Sequence, residues 1–518
     1  MGKKLVVICV LLVIAITLTL IDFGIFVKPS NDYNLVLILI DTQRAQNMGL
    51  YGYEHNTTPF IDEFSKDAFV FENAFSQSII TFPSHMSLFT SLYPSCNGVM
   101  VVGRDVLSNK IPTLPQILKH NGFSTLWAAP PGDPHLSSKA GFGRGFDFRI
   151  NRSENWDEGM NWIHNNSENQ FFGFFHTYLV HAPYTPKMEY AELFPDKFNL
   201  SDPRLNLSFK IRANVVYQLY NQSEQLKGLL TEDEFTLFKN LNLRDLNLKN
   251  LYNVTNAFFK NNLSEASQVN FAKAFHHQRY DIYFSHFNLS LQEDREMLEM
   301  LYSAELREVD DRIKELVGNL KQEGLYDNTV FVITADHGEA FFEHGDLQHT
   351  FLHDETTHVP LIIKFPGFEG RRVSENVELI DVLPTILSFL QISENNSFQG
   401  RNLLPYLNQQ FPSNHIAFSE YEEMKSVRSK NWRFTYNGVA TPKYSKIKLF
   451  EFELLEIVNG DDVFVDKKSD FPQIANSLHK TMQSIDFNNS LCLKNETDWW
   501  WVELSNESKE KVLATGYW

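Results

Sequence analysis

The stretch Asn34-Leu-Val-Leu-Ile-Leu-Ile-Asp41 sets the fold class. An unbroken run of leucine, isoleucine and valine, with no polar alternation, suits a strand covered on both faces, as in a parallel sheet flanked by helices. Thr329-Val-Phe-Val-Ile-Thr-Ala-Asp336 is a second run of this kind and also ends on an aspartate. Ahead of it, Met297, Leu301, Leu306, Val309 and Ile313 recur at helical spacing within Asp294–Gln322, and Gly324 closes that helix. Strands alternating with helices predict an α/β fold on a mostly parallel sheet. Ligands of such sheets lie beyond the carboxyl ends of the strands, where Asp41 and Asp336 both stand. One aspartate there is often only a helix cap; two shift the reading toward a metal site.

Working outward, 518 residues exceed what one small core uses, so a large domain with a smaller companion is expected. The large one is assigned to 33–410 and contains an insertion at about 187–290, rich in Asn and Leu with short helical stretches. The companion occupies 411–518, where His415–Ser419, Trp432–Tyr436 and Lys448–Phe452 read as strands of an antiparallel sheet. A formal charge of −18 excludes nucleic acid as a partner, because binding it requires basic patches.

The chain opens with Met1-Gly-Lys-Lys4, then apolar runs Leu5–Leu20 and Phe23–Val27. This pattern predicts an N-terminal transmembrane signal-anchor over 1–27, with a cleaved signal peptide as the alternative, and places the rest outside the cytoplasm. Asn-x-Ser/Thr sequons at Asn56, Asn151, Asn165, Asn199, Asn206, Asn221, Asn253, Asn262, Asn288, Asn395, Asn488, Asn495 and Asn506 mark glycan acceptors. They agree with an extracytoplasmic location, whether cell-surface, periplasmic-side or lumenal. Cys96 and Cys492 could pair or remain free.

Several ordered segments carry a resemblance. They are Leu-Ile-Asp41-Thr-Gln-Arg44 with Gly49-Leu-Tyr-Gly-Tyr53, Thr58-Pro-Phe-Ile-Asp62, Thr81-Phe-Pro-Ser-His85, Thr334-Ala-Asp336-His337-Gly-Glu339 with His344-Gly345, Leu379-Ile-Asp381, and Gly400-Arg-Asn-Leu-Leu404. Together they resemble the sulfatase family of the alkaline phosphatase superfamily over nearly all of 33–518 apart from the insertion. The resemblance implies an alkaline phosphatase-like sheet flanked by helices, with a smaller C-terminal α+β subdomain. It implies a hydrolase of sulfate or phosphate esters and a divalent cation (Ca, Mg, Mn or Zn) on Asp41, Thr81, Asp336 and His337. The substrate would be a sulfated or phosphorylated small molecule, glycan or lipid. A hard cation there would stabilise charge on the ester oxygens and acidify the nucleophile's hydroxyl.

The chain departs from the family pattern at four places. Thr81 stands where sulfatases carry the Cys or Ser that is oxidised to formylglycine, and threonine cannot yield that aldehyde. It could attack directly as an alkoxide, which favours phosphate esters, or it could merely cap the helix that follows. His85 replaces the family's arginine, and Thr42 replaces a second aspartate. The family's Gly-Lys-Trp-His-Leu-Gly segment is absent, with His135 near its expected place. By the resemblance Thr81, His85, His181 and His349 form the catalytic set. His181 would contact the ester or protonate the departing oxygen, and His349 would be the leaving-group acid or a further metal ligand. His176, His344, His353 and His358 read as structural or supporting. The same departures keep two other readings open: a phospho-group transferase, and an inactive domain that binds anionic glycans.

Overall fold

The computed structural model describes residues 33–494, except 102–103, 130–139, 151–155, 195–201, 207–229, 241–279, 281, 346, 394–397, 406–414, 439–450, 459–460 and 464. In chain order its strands are β1 (Asn34–Ile40), β2 (Phe69–Phe75), β3 (Ser124–Ala128), β4 (Phe148–Ile150), β5 (Phe171–Thr177), β6 (Thr329–Thr334), β7 (Ala340–Phe341), β8 (Leu347–Gln348), β9 (His358–Lys364) and β10 (Arg371–Glu378). Five more follow: β11 (Ala417–Tyr421), β12 (Met424–Arg428), β13 (Trp432–Tyr436), β14 (Phe452–Val458) and β15 (Asp461–Val463).

The main sheet has the order β10-β2-β9-β6-β1-β5-β3-β4. Only β9 runs against the rest, pairing antiparallel with both β2 and β6. The expected mostly parallel sheet is therefore observed. β1 is central, with parallel partners on both sides, and all seven of its residues are buried. The alternation of side chains explains why it had to be apolar throughout. Val36, Ile38 and Ile40 enter one core with the helices Trp156–Asn166 and Gln292–Gln322. Leu35, Leu37 and Leu39 enter the other with Thr81–Thr90, Leu114–His120 and Val382–Phe389. The long helix begins at Gln292 and ends at Gln322, followed by Gly324 at φ 71°, a conformation that favours glycine.

The reversal of β9 has a positional effect. Its amino end lies at the carboxyl edge of its neighbours, so the segment leading into it arrives beside Asp41 and Asp336.

The smaller sheet, β11-β12-β13-β14-β15, is antiparallel throughout. Phe418, Val427, Phe434 and Leu454 from it pack against Ala475, Leu478 and Met482 of the helix Pro472–Lys494. Of the third expected strand, Lys448–Phe452, residues 448–450 lie outside the described residues, and β14 begins at Phe452. Cys96 and Cys492 pair as a disulfide that ties this terminal helix to the main domain.

One expectation is corrected. Among the described residues no helix is long and apolar enough to cross a membrane. The two longest, Gln292–Gln322 and Pro472–Lys494, carry charged residues along their length. The transmembrane signal-anchor assigned to 1–27 lies outside the described residues, and membrane attachment is withdrawn.

Candidate active site

The cluster forms where β1, β5 and β6 end and the chain leaving β2 turns into a helix. Asp41 follows β1 directly, and its backbone N–H donates to Thr177 O at 3.0 Å. Thr42 then takes the left-handed conformation (φ 56°), uncommon for a residue with a branched side chain. The turn lets Thr42 N donate to Asp336 Oδ1 at 3.2 Å. Its hydroxyl donates elsewhere, to Val180 O at 2.8 Å. The residue standing for the family's second aspartate thus holds two loops together through backbone contacts.

Asp336 Oδ1 also accepts from His337 N at 2.9 Å, while Oδ2 lies 3.5 Å from His337 Nε2. His337 Nδ1 is 3.0 Å from Gly338 O. A carbonyl only accepts, so Nδ1 carries the proton and Nε2 keeps its lone pair, the arrangement of a metal-ligating imidazole. Burial pushes the Asp336 carboxyl up, but His337, His85 and His176 outweigh it and hold it below the usual carboxylate range.

One ligand atom each from Asp41, Asp336 and His337 lies within 4.8 Å of the others, and all three residues are fully buried. Asp336 Oδ2 and His337 Nε2 take no hydrogen-bond partner. Carboxylates buried this close call for positive charge between them, so the donor set fits a divalent cation.

Thr81 opens the ten-residue helix Thr81–Thr90. Ile80 stands at the cap position with no side-chain cap bond, and Thr81 Oγ1 donates instead to Asp41 Oδ2 at 3.4 Å. The hydroxyl therefore faces the cluster rather than serving the helix end. Ser84 Oγ donates to Asp336 O at 2.6 Å, fixing this helix against the loop after β6.

His85 lies one turn on, with Nδ1 2.6 Å from Thr81 O and 3.6 Å from Asp336 Oδ2. It is fully buried behind the ligands. His176, on β5, has Nε2 3.4 Å from Asp41 Oδ2, and its ring centroid is 4.9 Å from that of His85. Burial, with His85 adding to it, holds this imidazole well below the usual histidine range, so it is neutral.

His349 stands beside His337, and His181 beside His349. The His349 ring centroid lies 4.4 Å from His337 and 5.8 Å from His181. His349 Nδ1 is 3.3 Å from Glu339 Oε1, and Tyr184 OH donates to Glu339 Oε2 at 2.8 Å. Burial lowers His349 to about 4, against a smaller upward pull from Asp336. Burial also lifts Glu339 to about 8 despite the Tyr184 hydrogen bond. His181 is half-buried, with Nδ1 2.9 Å from Ala182 O. Tyr280, from the insertion, has its hydroxyl 3.5 Å from His181 Nδ1, so that insertion reaches the site.

The structure thus gathers Asp41, Thr81, His85, Asp336, His337, His181 and His349 in one place. His176, read from the sequence as structural or supporting, lies against Asp41, and sequence reasoning gave Glu339 and Tyr184 no role. His176 was visible by the rule that singled out Asp41, its place near the carboxyl end of a buried strand. The only signal for Glu339 was its place in the segment Asp336-His337-Gly-Glu339. His135 lies outside the described residues.

The family model for Sulfatase matches residues 33–392. The chain belongs to the sulfatase family. A second model, described as N-sulphoglucosamine sulphohydrolase, C-terminal, matches residues 342–489 of this sulfatase-family chain. An N-acetylglucosamine-6-O-sulfatase of Bacteroides thetaiotaomicron is 23% identical over 93% of this chain and 89% of its own. Arylsulfatase K of Bos taurus is 27% identical over 36% of each chain. Among solved structures, one in complex with its substrate D-glucosamine-2-N,6-O-disulfate aligns with TM-score 0.62 and 20% identity, covering 89% of this chain and 98% of that one. The phosphonate monoester hydrolase of Agrobacterium radiobacter aligns with TM-score 0.58 and 15% identity, over 88% and 96%. At these identities the structural likeness is one of fold. Within this sulfatase, the glycine of Asp336-His337-Gly338 has a packing reason: a Cβ there would meet Glu355 O at 2.0 Å.

Proposed function

We propose that this chain is a metal-dependent hydrolase that cleaves a sulfate or phosphate ester, with the Thr81 hydroxyl as nucleophile and no formylglycine. The observation that carries the reading is Thr81 Oγ1 at 3.4 Å from Asp41 Oδ2, beside the buried Asp41, Asp336 and His337 donors. Asp41, Thr81, Asp336 and His337 would hold the cation, which supplies charge stabilisation to the ester oxygens and acidifies the Thr81 hydroxyl. Asp41 aligns that hydroxyl, and the helix beginning at Thr81 turns its positive end toward an anionic group.

His349, neutral at physiological pH, and His181 lie next to one another, with His349 beside His337. As Thr81 Oγ1, its proton passed to Asp41 Oδ2, bonds to sulfur or phosphorus, the bond to the departing ester oxygen breaks, and that oxygen takes a proton from His181 in its protonated form. The same imidazole, now neutral, takes a proton from the water that attacks the threonyl ester; sulfate or phosphate leaves, and the freed Thr81 oxygen takes its proton back from Asp41. Two of the named relatives, the N-acetylglucosamine-6-O-sulfatase and the structure bound to D-glucosamine-2-N,6-O-disulfate, act on sulfated sugars, which supports a sulfated or phosphorylated small molecule or glycan as substrate. Direct attack by threonine supports phosphate. Hydrolysis of aryl sulfate, phosphate monoester and phosphodiester probes, by wild type and Thr81→Ala, separates these. Turnover lost in the variant establishes the hydrolase. No turnover on any ester by the metal-loaded wild type would leave an anion-binding protein on a hydrolase fold.

An extracytoplasmic location is part of the proposal. The Cys96–Cys492 disulfide belongs to an oxidising compartment. The sequon residues Asn56, Asn165, Asn288 and Asn488 are exposed. A shift in electrophoretic mobility on glycosidase treatment of the native protein checks it.

A further inference from the structure

A second group of metal-type donors lies outside this centre. His344 Nε2 is 3.1 Å from both carboxylate oxygens of Glu355. The rings of His344 and His353 lie 4.1 Å apart, centroid to centroid. One ligand atom from each of the three residues falls within 4.8 Å of the others. His344 is 7% exposed and His353 2%, so the group is nearly closed to solvent. Behind it, Glu453 of β14 places Oε2 3.7 Å from His353 Nε2.

The charge balance suits a divalent cation. Asp354, next in sequence, is paired with Arg428 and Arg433 of the smaller sheet. That leaves Glu355 and Glu453 as the negative groups facing two imidazoles. Two imidazoles this close cannot both be protonated cheaply, whereas neutral imidazoles present lone pairs. The donor chemistry also differs from the main centre. Asp41, Asp336 and Thr81 offer oxygens that suit a hard cation, while two nitrogens and one carboxylate suit zinc or a similar borderline ion. Glu453 occupies the supporting position from which a carboxylate orients a ligating histidine.

We propose that His344, His353 and Glu355 form a second, structural cation site that takes zinc or a comparable transition ion. The site clamps the hairpin of β7 and β8 to the segment entering β9. That hairpin turns through left-handed residues at Phe342, Gly345 and Gln348, and it delivers His349 to the main centre. The clamp positions His349 without touching substrate. A proton on His344 Nε2 competes with the cation, so binding releases protons and weakens as pH falls.

The test uses the full chain, stripped with chelator and dialysed against zinc alone, in three forms. These are wild type, the double variant Asp41→Asn/His337→Gln, and His353→Gln. The double variant is expected to hold one zinc equivalent, and wild type one more than His353→Gln. X-ray absorption of the double variant should show two imidazole ligands at about 2.0–2.1 Å. Zinc should also raise the Tm of the double variant but not of its combination with His353→Gln. No zinc in the double variant, full retention in His353→Gln, or zinc without two imidazoles overturns the proposal. If the double variant fails to fold, the stoichiometries of wild type and His353→Gln decide alone. Because every readout is metal content, spectrum or Tm, failure here leaves the Thr81 reading intact, and the reverse holds.

Discussion

The two sheets divide the labour of the molecule. In the eight-stranded sheet β1 is buried along its whole length, so neither face can hold substrate and only the strand ends are left for chemistry. In the five-stranded sheet β14 is buried only over part of its length, with one face on the helix Pro472–Lys494. The strand ends of the first sheet, with the helix that follows β2 and the β7–β8 hairpin, supply the residues of the candidate centre. The second supplies none of them but grips the loops that do. Glu420 N of β11 donates to Gln77 O at 2.9 Å, four residues before Thr81, and Phe418 N donates to Glu378 Oε1 at 3.0 Å. Arg428 Nε lies 3.2 Å from Asp354 Oδ2, and Arg433 pairs with the same carboxylate. A covered sheet carries the site, and a half-covered one braces it.

The comparison breaks most readily at Thr81. Thr81→Ala should lower turnover by on the order of 10³-fold or more while leaving Tm unchanged. Retained turnover would mean that chemistry does not reside at the strand ends of the large sheet.

Next in size is the brace. Asp354→Ala leaves two buried guanidinium groups facing a lost counter-charge and should cost about 3–5 kcal/mol, with a fall in Tm. Activity should fall with it, since Asp354 precedes the strand entry beside Gly338. An unmoved Tm would show that the sheets do not depend on this pair.

A third effect belongs to the large domain alone. Asp310 accepts from Phe60 N at 2.9 Å and Ile61 N at 2.8 Å, and burial raises its carboxyl to about 6 despite those bonds. The folded state therefore keeps its proton after the unfolded chain has lost it. Stability from this group is complete below about pH 4 and declines as pH rises through 6, by roughly 3 kcal/mol at most. Thermal unfolding from pH 4 to 7 should show the decline in wild type and a flatter profile in Asp310→Asn.

The smallest effect lies in the insertion. Thr231 caps the helix Glu232–Lys239 through a reciprocal pair with Glu234, at 3.3 and 2.8 Å. Thr231→Ala should cost about 1 kcal/mol and leave turnover unchanged, as read by denaturant titration and kinetics. A large kinetic effect would make the insertion a working part of the site.

Much of this was legible before the structure. The runs ending at Asp41 and Asp336 announced strands, sheet class and site together, because a doubly covered strand must be apolar until the residue that leaves it. The helix over 292–322 was legible from its apolar spacing. The smaller sheet was harder to place, because its strands are short and half-covered. The pairing of His344 with His353 and Glu355 was invisible, since it depends on the reversal of β9, which apolar patterning does not encode. The Thr42 substitution looked like a lost ligand, yet its backbone N–H still reaches Asp336.

The central place of β1 also bears on how the chain is made. It is the first described strand synthesised, yet its partners begin at Phe171 and Thr329. At ribosomal speed, ~300 further residues take roughly 15–60 s to appear. Until β5 appears Leu-Val-Leu-Ile-Leu-Ile has neither partner, and for the rest of that interval its β6 edge stays open, leaving a strongly β-prone hydrophobic segment of the kind that nucleates aggregation. Expression of this protein should therefore depend on chaperone capacity early in translation, more than on the stability of the finished fold.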